Sequence, residues 1–398
     1  MSVYLDHAAT TPVLPEVIDV VARTMRDVGN ASSLHTAGRS ARRVVEEGRE
    51  SIAEDLGVRP SEVIFTSGGT ESDNMAIKGT LWRRSAGDPR RRRMLISAIE
   101  HHAVLDAVDF LVTTGQADVT WLMPDEAGVV TPDVLRSAVE ADPDSVALVS
   151  VMWANNEVGV VQPVCELAAV AREYGVPMHT DAVQAVGHLD LDLGSCRADL
   201  ITATGHKLGA PVGIGVLLAA RDQDPVPLTH GGGQERQIRS GTLDVPGVAG
   251  LARAVRIAVA RQREEAPRLA SLRDELIEGA RAIDPSISVN GFWVPGEVHR
   301  RLPGNAHLRV PDCDGDSLLY VLDAAGVQCS TGSACQAGVP QPSHVLLAMG
   351  MSESEARGAL RLTLGHTSSA ADVRGFLEAL PTGLERSRRA RMATARAS

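Results

Sequence analysis

The chain has 398 residues, of which 44% are apolar and 22% are charged, a composition typical of a globular protein. The net charge of −11 argues against a surface dominated by nucleic-acid binding, so we expect no direct nucleic-acid partner. No apolar run approaches the roughly 18 residues of a membrane span, and the N-terminal MSVYLDHAATTP does not have the pattern of a signal peptide. We therefore expect no membrane association and a cytoplasmic location.

The five cysteines are odd in number and irregularly spaced. A chain of this length can build its core without cross-links, so reduced thiols in the cytosol are the expectation. No Cys-x-x-Cys pair and no His/Cys cluster has the spacing of zinc ligands, so no metal site is predicted.

Short apolar runs alternate with helical patterns through the middle of the chain. Amphipathic segments such as 164–175 separate several of these runs, which predicts an α/β fold with a mostly parallel sheet. A helical pattern over 245–283 leads towards a second, smaller α/β unit, whose strands lie in NAHLRV and RLTLGH. The strands predicted for the larger unit are 62–69, 93–98, 144–154, 176–182, 198–207 and 213–220.

Lysine is almost absent, because only Lys78 and Lys207 occur among 39 basic residues. Arginine serves elsewhere, so a retained lysine is a candidate for chemistry that requires an amine able to lose its proton. Lys78 lies at the end of a predicted helix, where a cation suits the helix dipole, so we interpret it as structural.

A strand, two glycines and a helix start follow one another in FTSGGTESDN, residues 65–74. Gly68 and Gly69 allow close backbone approach, and a helix N-terminus beginning at Thr70 attracts anions. The segment is consistent with a phosphate site or with an ordinary capped turn.

Asp181 and Lys207 each follow a predicted strand, at the sheet edge where open α/β sheets bind ligands. A phosphate cradle, a strand-end Asp and a strand-end Lys together indicate pyridoxal 5′-phosphate (PLP). The lysine would form the Schiff base and the aspartate would pair with the pyridine nitrogen.

The chain resembles the class I cysteine desulfurases, the NifS/IscS group of class V aminotransferases. The resemblance is carried in order by YLDHAATTP, FTSGGTESDN, EHHAVLD, MWANNEVG, HTDAVQAVG, TGHKLGAPVGIG, GGGQERQIRSGT, STGSAC and LRLTLGH. It implies the PLP-dependent transferase fold type I, similar to aspartate aminotransferase. It also implies a large PLP-binding domain over 14–257 and a small domain made of 1–13 and 258–398.

The resemblance also implies the roles of individual residues. Lys207 would carry PLP and Asp181 would face its ring nitrogen; Gln184 and Asn155 would contact the phenolic oxygen, with Asn155 near the substrate carboxylate. Arg361 would bind that carboxylate, and His101 would stack on the ring and act as acid–base partner. The phosphate would be held by Gly69, Thr70, Thr204, His206 and, from the other subunit of a homodimer, Thr242.

Cys335, in the small-residue segment STGSACQAG, matches the family's nucleophile, which attacks the sulfur of L-cysteine to give alanine and an enzyme persulfide. Gly332 and Gly338 would allow this segment to move. Cys329 ends an apolar run and is expected to be an inert, packed thiol, with a resolving role as the alternative.

The predicted function is therefore that of a cysteine desulfurase that passes sulfur to protein acceptors in iron–sulfur assembly, tRNA thiolation or DNA phosphorothioation. Two alternatives remain open. One is a selenocysteine lyase or another class V PLP enzyme, and the other is a catalytically idle scaffold. The complete set of Lys207, Asp181, His101, Cys335 and Arg361 argues against a scaffold.

Overall fold

The computed structural model of the protein describes residues 2–332 and 341–397, with side chains described to Met392. Helices and strands alternate over most of this length, as the sequence pattern predicts. The helices are α1 (Pro15–Thr24), α2 (Thr36–Leu56), α3 (Gly69–Asn74), α4 (Thr80–Gly87), α5 (His102–Thr113), α6 (Pro132–Glu140), α7 (Val164–Glu173), α8 (Leu193–Cys196), α9 (Val245–Ile283), α10 (Gly315–Ala324), α11 (His344–Ala348), α12 (Glu353–Ala356) and α13 (Ala370–Ala397).

The strands form a seven-stranded sheet and two smaller sheets. They are β1 (Val3–Tyr4), β2 (Val63–Thr66), β3 (Arg93–Ser97), β4 (Asp118–Leu122), β5 (Val146–Ser150), β6 (Met178–Asp181), β7 (Leu200–Thr204), β8 (Gly215–Ala219), β9 (Ser288–Val289), β10 (Asn305–Arg309), β11 (Val327–Gln328) and β12 (Ala359–Thr363). The large sheet has the order β2-β8-β7-β6-β5-β3-β4. Strand β8 runs antiparallel to both neighbours, and the other four pairings are parallel, which confirms the mostly parallel α/β fold.

Strands β5 to β8 are buried along their whole length, which explains the mainly apolar sequences of β5 and β8. Strand β6 instead buries three polar side chains, those of His179, Thr180 and Asp181. Because β5, β6 and β7 are parallel and adjacent, their carboxyl ends lie side by side at one edge of the sheet. The polar segments that follow these strands are thereby brought together, at the edge where such sheets bind ligands.

A separate apolar core joins the N-terminal strand to the C-terminal third of the chain. Val3 in β1 pairs in parallel with Val327 in β11, and β12 and β9 both pair with β10 in a three-stranded antiparallel sheet. Helix α9 packs on α1 and α2 of the large unit and on α13 of the smaller one. The domain boundary at 257/258 falls within α9 and stays a prediction.

The expectation that all cysteines are reduced is wrong, because Cys165 and Cys196 form a disulfide. They are 31 residues apart, and their Cα atoms lie 4.5 Å from each other. The pairing arises because α7 packs against α8 after the chain has passed through β6. This proximity is a tertiary contact that the spacing of the cysteines does not reveal.

Helix α13 continues through the basic C-terminal segment to Ala397, and Arg388 in this segment pairs with Asp284. Strand β4 is not among the predicted strands. Within the described residues, no helix combines the length and hydrophobicity that crossing a membrane requires.

Candidate active site

A cavity of about 380 Å³ opens at the carboxyl edge of the large sheet, against the smaller unit. This volume lies within the usual range for small-molecule sites. The predicted site residues that line it are Gly69, Thr70, His101, Asp181, Gln184, Thr204, His206, Lys207 and Arg361. The fold therefore brings together nine residues that are distributed over nearly 300 positions of the sequence.

Lys207 lies in a short 3₁₀ turn directly after β7, with its amine inside the cavity. Its Nζ donates hydrogen bonds to the carbonyl oxygens of Ala8 and Ala9, the latter at 2.6 Å. Burial and, next, the positive charge of Arg361 lower the pKa of this amine to about 8. More of this amine is thus neutral, and so nucleophilic, near neutral pH than of an ordinary lysine.

Asp181 is the last residue of β6 and is 5% exposed. Its Oδ1 accepts a hydrogen bond of 2.8 Å from the N–H of Val183. Burial, followed by the nearby carboxyl of Asp73, raises the pKa of Asp181 to about 7. A positively charged ligand atom beside Asp181 would lower this pKa and stabilise the carboxylate.

The turn between β2 and α3 forms one end of the cavity. Gly68 has φ 150°, a conformation that favours glycine, and a helical run without interruption extends from Gly69 to Gly87. Thr70 lies in the first turn of this run, and Thr204 and His206 face it from the end of β7. Free N–H groups and two hydroxyls at a helix start suit an anion such as a phosphate.

His101 is the N-cap of α5, and its Nδ1 accepts a hydrogen bond of 3.1 Å from the N–H of Ala103. The ring faces the cavity, where burial and the charge of Lys207 lower its pKa to about 4. The imidazole is therefore neutral at physiological pH. Gln184 donates to the Ala8 carbonyl oxygen at 2.9 Å, which fixes its amide at the cavity wall.

Arg361 extends into the cavity from β12 of the smaller unit. Its Nη1 donates to the Asn156 carbonyl oxygen at 3.0 Å, and its Nη2 pairs with Asp6 Oδ1 at 2.8 Å. Its Nε is buried without a hydrogen-bond partner within residues 2–332 and 341–397. One edge of the guanidinium is thus held by the protein while an N–H donor remains for a ligand carboxylate.

Two predicted site residues do not line the cavity, and one lies outside the described residues. Asn155 is fully buried, where its amide donates to the Ile99 carbonyl oxygen at 2.9 Å and accepts two backbone N–H groups. Thr242 is exposed on the surface. Contacts of Asn155 and Thr242 with a cofactor stay predictions, and Cys335 falls between the two described ranges.

Cys329 is packed against the core of the smaller unit, as expected from its apolar context. Burial, and then the negative charges of Asp6 and Asp323, raise the pKa of its thiol to about 12. The thiol therefore stays protonated at neutral pH and is a poor nucleophile.

The cavity also contains residues to which the sequence pattern assigns no role. Asp73 comes from the segment FTSGGTESDN, and His344 donates its Nε2–H to the Glu100 carbonyl oxygen at 2.9 Å. Ala8 and Ala9 hold the amine of Lys207. The HAAT motif indicates that the N-terminal segment belongs to the site. It does not predict contacts made by backbone carbonyls, because any residue type can supply them.

Comparison with known proteins adds independent support. The Aminotransferase class-V family matches residues 3–376. The IscS-like cysteine desulfurase of Mycobacterium tuberculosis is 56% identical over 395 residues, which cover 99% of each chain. Among solved structures, a NifS-like protein superposes with a TM-score of 0.87 at 34% identity, covering 97% of this chain and 100% of the other.

A second solved structure, SspA in complex with cysteine, has a TM-score of 0.76 and 34% identity, covering 91% of this chain and 99% of the other. The family match, the relatives aligned over nearly the whole chain and the similar solved structures all indicate the same family. The chain belongs to the class-V aminotransferase family, within its IscS- and NifS-like group.

Proposed function

We propose that this protein is a PLP-dependent cysteine desulfurase that acts as a homodimer. The observation that carries the proposal is that the Lys207 amine, the Asp181 carboxyl and the Arg361 guanidinium face one cavity. The 56% identity to a relative named a cysteine desulfurase, and the cysteine bound to the similar SspA, favour L-cysteine as the substrate.

The residues present fit PLP. The helix start at Gly69 offers N–H groups for the phosphate, with hydroxyls from Thr70 and Thr204 beside them. A lysine of lowered pKa suits reaction with an aldehyde, and the buried Asp181 lacks a full positive counter-charge, which a protonated ring nitrogen would supply.

PLP, when bound, supplies an electron sink for the Cα of an amino-acid substrate. Arg361 would bind the substrate carboxylate through Nε while Asp6 and the Asn156 carbonyl hold the guanidinium. Lys207 would then remove the Cα proton, with its Nζ placed in the cavity by the carbonyl oxygens of Ala8 and Ala9. His101, neutral and in the cavity, would accept the proton of the substrate thiol.

Cys335 would receive the sulfur. Its thiolate attacks the substrate Sγ, a sulfur–sulfur bond forms, and the Cβ–Sγ bond breaks with its electron pair going to Cβ. Protonation of that carbon gives alanine, and the added sulfur stays on Cys335 as a persulfide, so the step needs no outside oxidant or reductant. Protein acceptors, such as an iron–sulfur scaffold or a thiolation enzyme, would then take the sulfur.

The test uses the purified protein with L-cysteine and PLP. Alanine formation and a tryptic peptide of Cys335 carrying one added sulfur atom are the expected results. Cys335→Ser should still bind PLP but release no alanine, because a hydroxyl is a weak nucleophile at neutral pH. Cys329→Ser, the matched control, should retain activity. A persulfide on Cys329, or alanine released by Cys335→Ser at the unsubstituted rate, would show that the sulfur step is wrong.

A further inference from the structure

A second carboxyl group, that of Asp73, lies beneath the cavity next to Asp181. Asp73 belongs to the first helical run and is 1% exposed, and it lines the same cavity as Asp181. Its Oδ1 has no hydrogen-bond partner in the described parts of the chain. A buried carboxyl without a cationic partner is costly to retain, which calls for a physical account of its presence.

A chain of polar side chains connects Asp73 to the strand that carries Asp181. His179 lies two residues before Asp181, on the same face of β6. The His179 Nε2 is 3.1 Å from Thr202 Oγ1 and 3.4 Å from Asp73 Oδ1, and its Nδ1 is 2.9 Å from Ser150 Oγ.

These contacts are satisfied by one direction of donation. The Ser150 hydroxyl donates to Nδ1, Nε2–H donates to the Thr202 oxygen, and the Thr202 hydroxyl donates to Asp73. Burial raises the pKa of Asp73 to about 7, and the hydrogen bond from Thr202 opposes that rise. Asp73 is then the terminal acceptor of the chain. This direction places the proton of His179 on Nε2, and burial keeps the ring neutral by lowering its pKa to about 4.

The charge of Asp73 acts on Asp181 directly. Two carboxylates in one buried region cannot both ionise easily, and after burial the charge of Asp73 is the next cause that raises the pKa of Asp181. The other titratable groups that act on Asp181 or on this region are Glu100, His179 and Lys207. Glu100 is fully buried with its pKa raised well above the usual value, so it stays protonated, and His179 stays neutral. Asp73 is therefore the nearby acid whose charge can vary near neutral pH.

We propose that Asp73 is a positioning residue that sets, through its charge and through the Thr202–His179 chain, the pH at which Asp181 ionises and can hold a protonated pyridine nitrogen. The inference rests on the proposed PLP site. Its consequence is that removing the charge of Asp73 should let Asp181 ionise at lower pH, and the acid-side loss of cofactor binding should move in the same direction.

The experiment measures the Kd of pyridoxine 5′-phosphate for the cofactor-free protein between pH 5 and pH 9. This probe has the ring nitrogen and phosphate of PLP but no aldehyde, so a reaction with Lys207 does not contribute. In Asp73→Asn, we expect the pH at which pyridoxine 5′-phosphate binding weakens on the acid side to fall by roughly half a unit or more. Thr202→Val removes the donor to Asp73, keeps Asp73 neutral to higher pH, and should move the curve the same way by less.

Asp199→Asn is the matched control. Asp199 is a half-buried carboxyl that also accepts a backbone N–H, from Met178, but it precedes β7 at the opposite end of the sheet. Its variant should lose stability without moving the pH curve. If binding of pyridoxine 5′-phosphate to Asp73→Asn weakens at the same acid pH as binding to the unsubstituted protein, the inference is wrong, whatever the change in stability.

The two proposals fail in different ways. If the unsubstituted protein binds neither PLP nor pyridoxine 5′-phosphate, the proposed function fails and the inference falls with it. If it binds both and only the Asp73→Asn shift is missing, the inference alone is wrong.

Discussion

At the scale of single residues, the two lysines of this chain have separate environments. The Lys207 amine lies in the cavity on two backbone carbonyls, whereas Lys78 Nζ lies over the ring of Phe110, 4.6 Å from its centroid. A cation over an aromatic ring can be an arginine as well as a lysine. An amine that must react with an aldehyde cannot be replaced in this way, because guanidinium stays protonated.

Lys207→Arg should therefore lose alanine formation from L-cysteine, while Lys78→Arg should keep it. The two variants make the same chemical change, so their comparison separates the reactive amine from a general effect of replacing lysine. Absorbance of bound PLP and alanine release are the measurements. Turnover by Lys207→Arg at the unsubstituted rate would contradict the role of this residue.

Arg361→Lys should chiefly weaken L-cysteine binding and spare PLP. A lysine ammonium cannot keep the contacts with Asp6 and the Asn156 carbonyl and also present a planar N–H edge to the substrate carboxylate. We expect KM to rise by roughly 10- to 100-fold, which corresponds to about 1–3 kcal/mol.

Arg309→Lys provides the control for Arg361→Lys. Arg309 lies on the neighbouring strand β10 and pairs with Glu355 at the surface. Its replacement should leave KM unchanged. Loss of PLP from Arg361→Lys with an unaltered KM would show that Arg361 supports the cofactor rather than the substrate.

At the scale of elements, the segment before α9 is held in an unusual backbone conformation. Glu235, Arg236 and Gln237 have φ values of 43°, 56° and 62°, which non-glycine residues rarely adopt. The carboxylate of Glu235, 2% exposed at its side chain, binds both Nη atoms of Arg49 and accepts the N–H of Phe65 at 2.8 Å. This buried pair fixes the segment to α2 and β2 and so compensates its backbone strain.

Glu235→Gln should lower the free energy of unfolding by roughly 3 kcal/mol, because it leaves the buried Arg49 without its counter-charge. Denaturant unfolding monitored by circular dichroism measures the change. Glu47→Gln breaks the Arg43–Glu47 pair, whose side chains are 73% and 65% exposed, and should cost less than about 0.5 kcal/mol. Equal effects of the two substitutions would refute the anchoring role of Glu235.

At the scale of the whole molecule, a single chain exposes large apolar side chains in the segment between α1 and α2 and in the segment between Lys207 and β8. Met25, Val28, Leu34 and Val212 are between 68% and 89% exposed. Side chains of this kind can be covered in a subunit interface. They favour the proposed homodimer, in which Thr242, also exposed, would reach the phosphate of the other subunit.

Mixed dimers test this arrangement. Lys207→Arg and Thr242→Asp chains should each be poorly active alone, the second because a carboxylate would repel the phosphate. If Thr242 serves the opposite site, a mixed dimer has one site with both substitutions and one site with neither. Co-expression with two different affinity tags, followed by purification of the mixed species, should therefore restore alanine formation. No recovery in a verified mixed dimer would place Thr242 outside the site of the other subunit.

The sequence by itself determined the α/β class, the positions of most strands of the large sheet, the full extent of α9 and, through the family resemblance of its motifs, nine of the residues that line the cavity. This was possible because strand periodicity is local and because the motifs keep fixed spacing to strand ends, where a parallel sheet must place its ligands. The scarcity of lysine marked Lys78 and Lys207 alike as candidates, and the position of Lys207 after a predicted strand then singled it out as the lysine whose amine is required.

Tertiary structure alone decided which distant groups act on one another. Three such contacts join segments that are far apart in the sequence. They are the Cys165–Cys196 disulfide, the ion pair between Asp6 and Arg361, and the effect of the Asp73 charge on Asp181. No local pattern records such contacts. The charge state of a buried group follows from its desolvation and its neighbours, so the lowered pKa of Lys207 and the raised pKa of Asp181 exist only in the folded chain.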